Sequence, residues 1–148
     1  MYLDVQNLLS DDQDISQDAG TYYSTNALDL NATPRAIGPG EVVKIMFQMT
    51  ATLVGATATM QVDLVEGSSA TVGATNLALI SSTGVQAVGV YAAGYQFMFT
   101  APMTTIGQRY LRMRYIIATA TTTAGTCSAG VVWDMQTSNS DWPAETGR

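Results

Sequence analysis

The strongest constraint on this chain is a side-chain period of two. In EVVKIMFQMTATL, Val43, Ile45, Phe47, Met49, Ala51 and Leu53 share one parity, and Lys44, Gln48, Thr50 and Thr52 share the other. Successive side chains of an extended chain point to opposite faces, so this pattern predicts a long strand with one buried face. MQVDLVE repeats it, with Met60, Val62 and Leu64 set against Gln61 and Asp63. RYLRMRYIIATAT sets Leu111, Met113, Tyr115 and Ile117 against Tyr110, Arg112 and Arg114. YQFMFTAP places Phe97 and Phe99 on one face and stops at Pro102, which has no N–H to give a ladder.

Shorter stretches complete the set. LALIS (77–81) and VQAVGVY (85–91) read as strands, with Gly89 weakening the second or marking a bulge. AGVVWDMQT (129–137) alternates Val131, Trp133 and Met135 with Val132, Asp134 and Gln136, and TYYSTNALDL (21–30) supplies a first extended segment. VGATAT, between the two longest early strands, suits a turn. Turn signals recur about every 8–15 residues and no amphipathic helix of useful length intervenes. The prediction is therefore all-β: an antiparallel, jelly-roll-like β-sandwich with an extended N-terminal arm. Asp4 would cap one short helix over Val5–Leu9. At 148 residues one domain is expected. Its divisions read as an acidic arm over 1–20, a sandwich over 21–138 and a tail over 139–148, in which Trp142 serves as anchor or partner contact.

The residue types present exclude several chemistries. There is no histidine, so serine–histidine and cysteine–histidine dyads are excluded and the commonest neutral-pH base and metal ligand is missing. The single cysteine, Cys127, can form neither an internal disulfide nor a thiolate zinc cage, and reads as a buried inert thiol. GPGE and GATAT lack the Gly-Lys-Ser/Thr ending of a phosphate loop. A facing carboxylate pair of the glycosidase kind is disfavoured, with few aromatic residues to stack sugars. The expectation is not an enzyme, with no cofactor and no metal. A net charge of −6 disfavours nucleic acid as a partner. No apolar run is long enough to span a membrane, and MYLDVQNLLSDDQD has neither the basic nor the apolar region of a secretion signal. Only 12% of residues are charged, which points to surface hidden in an oligomer or assembly, although Thr, Ser, Gln and Asn also wet a surface.

Two constellations remain. Asp11, Asp12, Asp14 and Asp18 stand within eight residues, and no basic residue occurs before Arg35. The stretch reads as a solvated arm, as a docking arm for basic groups on a partner, or as a calcium loop. The calcium loop lacks its expected glycine and glutamate, because Gln17 and Tyr23 occupy those positions. Arg109, Arg112 and Arg114 make up half of the six basic residues. Arg112 and Arg114 share a strand face with Tyr110. They read either as partners of the chain's own Asp134 or Asp63, or as a subunit contact, since Arg and Tyr are enriched in interface hot spots.

Taken together, MYLDVQNLLSDDQDIS, DLN, IGPGEVVKIMFQMTAT and TAPMTTIGQRYLRMRYI resemble the capsid cement, or decoration, proteins of tailed double-stranded-DNA phages, and most closely the small cement protein of the Bordetella short-tailed phage type. The resemblance runs from Met1 to about Trp133. It implies a jelly-roll structural protein of the virion, on the outer surface of the head and made in the host cytoplasm. Its implied partners are the major capsid protein and itself, as a homo-oligomer: a dimer is favoured and a trimer is the alternative. On that reading Asp11, Asp12, Asp14 and Asp18 meet basic groups on the shell, and Tyr22 and Tyr23 supply contact area where the arm joins the body. Arg112, Arg114 and Trp142 are further capsid or subunit contacts. The alternatives are a low-copy tail, neck or receptor-binding component, or a lectin-like binding module, on the same fold.

Overall fold

A computed structural model describes residues 7–30, 42–71, 77–102 and 106–132. The strands, in chain order, are β1 (Leu8–Asp14), β2 (Gly20–Tyr23), β3 (Leu28–Asp29), β4 (Val42–Val54), β5 (Thr59–Gly67), β6 (Ala78–Ser82), β7 (Gln86–Ala87), β8 (Gln96–Pro102), β9 (Tyr110–Ala118) and β10 (Ala124–Val132). One sheet runs β1-β10-β4-β8; the other runs β2-β9-β5-β6, with β3 also on β9 and β7 also on β5. Every pairing is antiparallel.

Counting β2 with β3, and β6 with β7, as interrupted strands leaves eight. The first then pairs with the last, the second with the seventh, the third with the sixth and the fourth with the fifth. That is one long antiparallel hairpin rolled into two layers, the jelly-roll arrangement. The small residues after Val54 carry the chain from one sheet to the other between β4 and β5.

The core lies where the inner faces meet. Val43, Ile45, Phe47, Met49 and Leu53 of β4 are buried against Met60, Val62 and Leu64 of β5 and Leu111, Met113, Tyr115 and Ile117 of β9. The inward parity is buried along all three strands with one exception, and on the opposite face Met46, Asp63, Val65 and Arg112 are buried as well. Ala51 is exposed, because two register shifts between β4 and β10 fall there. Phe47 packs between two aromatic rings, Tyr91 at 6.4 Å and Tyr115 at 6.1 Å between centroids. Both tyrosine hydroxyls find acceptors inside the protein, as buried ones must. Tyr91 donates to the Met60 carbonyl at 3.1 Å, and the Tyr115 hydroxyl lies 2.7 Å from Ser10 Oγ.

Four sequence expectations are corrected. Leu8 and Leu9 belong to β1, not to a helix, and Asp4 and Val5 lie outside the described residues. The strand expected over 85–91 is only Gln86–Ala87; a 3-10 turn over Val88–Val90 follows, and it lets Val88 and Tyr91 both reach the core. The last strand begins five residues earlier than expected, at Ala124, because its inward positions are the small Gly125, Cys127 and Ala129. Finally, the boundary drawn at residue 20 does not separate an arm from a body. From Leu8 onward the stretch is an edge strand on β10, with Leu9 and Ile15 in the core. The remainder of AGVVWDMQT and the tail from 139 lie outside the described residues.

Candidate functional site

The carboxylates of the N-terminal stretch are mostly engaged by the chain itself. Asp12 sits at φ 45°, where β1 is irregular against β10. Its backbone N–H donates to Ser128 Oγ at 2.9 Å and its carboxylate accepts from Thr50 Oγ1, which also lies 2.7 Å from Thr126 Oγ1. These hydroxyls hold the Asp12 carboxyl below its ordinary pKa. Asp14 accepts from both the Oγ and the N–H of Ser16, which lowers its pKa likewise. Asp18 accepts from Thr121 Oγ1 at 2.9 Å, and its carbonyl accepts from the Tyr22 hydroxyl at 2.9 Å. Asp11 alone of the four is exposed with no partner among the described residues. No group of three metal-ligating side chains gathers among the described residues.

The strand edge is closed by a residue that the sequence pattern did not single out. Gln13 Nε2 donates to the Tyr23 carbonyl at 2.9 Å. Gln13 Oε1 accepts from Ser10 Oγ at 2.7 Å, Thr25 N at 3.0 Å and Thr25 Oγ1 at 3.1 Å. With Ser10 Oγ committed as donor to Gln13, the Tyr115 hydroxyl is the donor in its bond to Ser10. One amide thus ties β1 to the turn after β2 and, through Ser10, to the core. A glutamine between acids gives no sign in sequence of having four partners.

The second polar surface is the outer face of the β9 sheet. Leu111 and Met113 enter the core, so Tyr110, Arg112 and Arg114 face outward. Arg114 is opposite Asp63 on β5 and Tyr23 on β2. Its Nη2 and Nε donate to Asp63 Oδ2 at 2.6 and 3.0 Å, while Gln61 Nε2 donates to Asp63 Oδ1 at 2.8 Å. Asp63 is fully buried, so this pair ties two strands under low dielectric. Of the two acids named as partners from sequence, Asp63 is the one found; Asp134 lies outside the described residues. At the strand start Arg109 makes a side-on fork with Asp29, at 2.8 and 2.7 Å, and lies 5.1 Å over the Tyr110 ring. Glu66 Oε2 accepts the N–H groups of Gly107 and Gln108 and so fixes the loop that leads into this strand.

Arg112 differs from its neighbours. It is 3% exposed, opposite Val65, and neither its Nε nor its Nη1 has a hydrogen-bond partner among the described residues. Burial pushes its pKa below the ordinary arginine value, against a smaller opposing influence of Tyr23. Tyr22 does not join this face: it packs against the core, while Tyr23 lies beside Arg114. The structure therefore brings Tyr23, Arg112 and Arg114 together and leaves the four aspartates elsewhere. Trp142 lies outside the described residues. Cys127 is buried near Tyr115, and burial pushes its thiol up to about 12, which keeps it protonated and unreactive.

These features define a jelly-roll β-sandwich whose charges mainly tie its own strands, with a buried guanidinium left over on one sheet face. A family model, Bbp16, matches residues 9–131, which is nearly the whole described sandwich. The chain belongs to that family, a Bordetella phage protein family. No curated protein matches the chain. Among the described residues no helix is long and apolar enough to cross a membrane.

Proposed function

We propose that this chain is a capsid cement protein: it binds the outside of the phage head, bridges neighbouring subunits of the major capsid protein and stabilises the shell against packaged DNA. The observation that carries this reading is the match to a phage family along the entire sandwich. The architecture supports it. A jelly roll whose β1 is tied to the turn after β2 by Gln13 holds its edge in place and leaves broad sheet faces for docking. The action is mechanical, not catalytic. A homo-oligomer that engages two capsomers gains from effective concentration, so modest contacts suffice when many copies bind. The aspartates paired within the chain are not part of the proposed shell contact.

The test is the copy number and position of the chain in purified particles, by quantitative gel and particle reconstruction. A count near that of the major capsid protein, with density on the outer shell, is expected. A dozen copies or fewer, at one vertex or on the tail, would replace cement with the tail or neck reading.

A further inference from the structure

The outer face of the β9 sheet carries three arginines, and two of them are matched. Asp29 holds Arg109 and Asp63 holds Arg114. Arg112 stands between them with two buried N–H-bearing nitrogens that bond to none of the described residues. Guanidinium stays charged in proteins, and a buried charge without acceptors destabilises the state that contains it. An aliphatic side chain of the same length would serve the fold at this site at least as well. The residue is accounted for if its acceptor arrives from outside.

The surroundings specify that acceptor. A planar guanidinium matches a carboxylate, with which it makes two parallel hydrogen bonds. Among the described residues the face has three arginines against two carboxylates, one net positive charge on a chain of net charge −6. One positive site suits one carboxylate; a nucleic-acid backbone would meet repulsion from the chain as a whole. Beyond Val65, which pairs with both Arg112 and Leu79, Leu79 is 54% exposed on the same face. An apolar pair, Val65 and Leu79, in line with an arginine across three strands, with Tyr110 and Tyr23 on the same face, has the composition of a protein-contact centre. The arginine stem has enough rotatable bonds to turn its head outward without moving β9.

We infer that the Arg112 face is a protein-docking surface that receives an aspartate or glutamate side chain of a shell subunit, paired to Arg112 and flanked by Leu79. This rests on the cement reading for the identity of the partner.

The experiment uses heads assembled without this chain and measures binding of added full-length protein by cosedimentation, beside the Tm and sedimentation of the free protein. Arg112→Met keeps the stem and removes the charge. It is expected to weaken binding by about tenfold or more, the usual consequence of removing one member of a buried charge pair. The Tm of free Arg112→Met should equal or exceed that of the wild type. Leu79→Asp, at an exposed position, sets a like charge against the incoming carboxylate and should weaken binding similarly. If both variants bind as the wild type does, the docking surface lies elsewhere and the cement reading stands. Failure of the wild type to bind would remove the cement reading and this inference with it. A lowered Tm for Arg112→Met would make Arg112 a residue of the fold, and a smaller oligomer would assign the face to a second copy; either result overturns the inference.

Discussion

Replacing Gln13 by alanine tests whether the acidic stretch belongs to the sandwich. The side chain has four hydrogen-bond partners, of which Ser10 Oγ and the Tyr23 carbonyl are partly buried and the two Thr25 groups are exposed. The Thr25 groups can exchange their bonds for water at little cost. The other two are worth about 1 kcal/mol each, and Ser10, fully buried, keeps only its bond from Tyr115. The expected loss is therefore about 2 kcal/mol, which for a chain of this size lowers Tm by about 4–8 °C. Because the bonds join β1 to the turn after β2, the loss should be local as well as global. Amide hydrogen exchange over Leu9–Gln13 should accelerate more than exchange in β9, which lies in the middle of its sheet. A loss below about 0.5 kcal/mol, the range of an ordinary surface change, with unchanged exchange in β1, would refute the edge-closing role.

Three further outcomes follow from the same structure. Gly125 has φ +141°, and a Cβ there would stand 2.7 Å from Leu53 Cδ1 and 3.0 Å from Leu53 Cα, so Gly125→Ala should cost about 2–4 kcal/mol by urea denaturation. Asp63→Ala leaves Arg114 and Gln61 without their shared acceptor on a largely buried face and should cost about 3–5 kcal/mol in the same assay. Burial raises Cys127 from 9.0, and Tyr91 from 10.0, to about 12. Both groups hold their protons longer folded than unfolded, so stability is complete below about pH 9 and is lost as pH rises toward 12. For Cys127 the loss between pH 8 and 11 is about 2–3 kcal/mol, and Cys127→Ala, measured with reductant present, should flatten that part of the profile.

The parts of the fold legible in sequence are those whose inward residues are large. On β4, β5 and β9, Ile, Leu, Met, Phe and Tyr alternate with polar groups, and the structure buries that parity. β10 is displaced from its expected position because glycine, cysteine and alanine line its inner face and give no large-residue alternation; Gly125 leaves room for Leu53 of the neighbouring strand β4. β1 was hidden for the opposite reason. Its exposed positions carry the acids, and its irregular register puts Leu9 and Ser10 both inside, so no period of two survives. The pairing of Arg114 with Asp63 was one of two options visible from charge and strand parity. The isolation of Arg112 was not visible, because it depends on which acids fold near which arginines: Asp29 arrives from 80 positions away to take Arg109.

The low charge content carries less weight for assembly than its rarity suggests. Asp12, Asp14, Asp18, Asp29, Asp63 and Glu66 all accept hydrogen bonds from the chain itself, from threonine and serine hydroxyls, backbone N–H groups, the Gln61 amide or arginines. Hydroxyl-bearing residues wet the surface in place of charges, so a sparse charge count is compatible with a monomer. What distinguishes a binding surface is the residue left outside this internal matching. Arg112 is buried and unmatched, whereas Asp11 is exposed and can be satisfied by water. Only the buried group stands to gain strongly from a partner, because two of its nitrogens have no acceptor among the described residues. That asymmetry moves the case for docking from the acidic stretch to the opposite sheet.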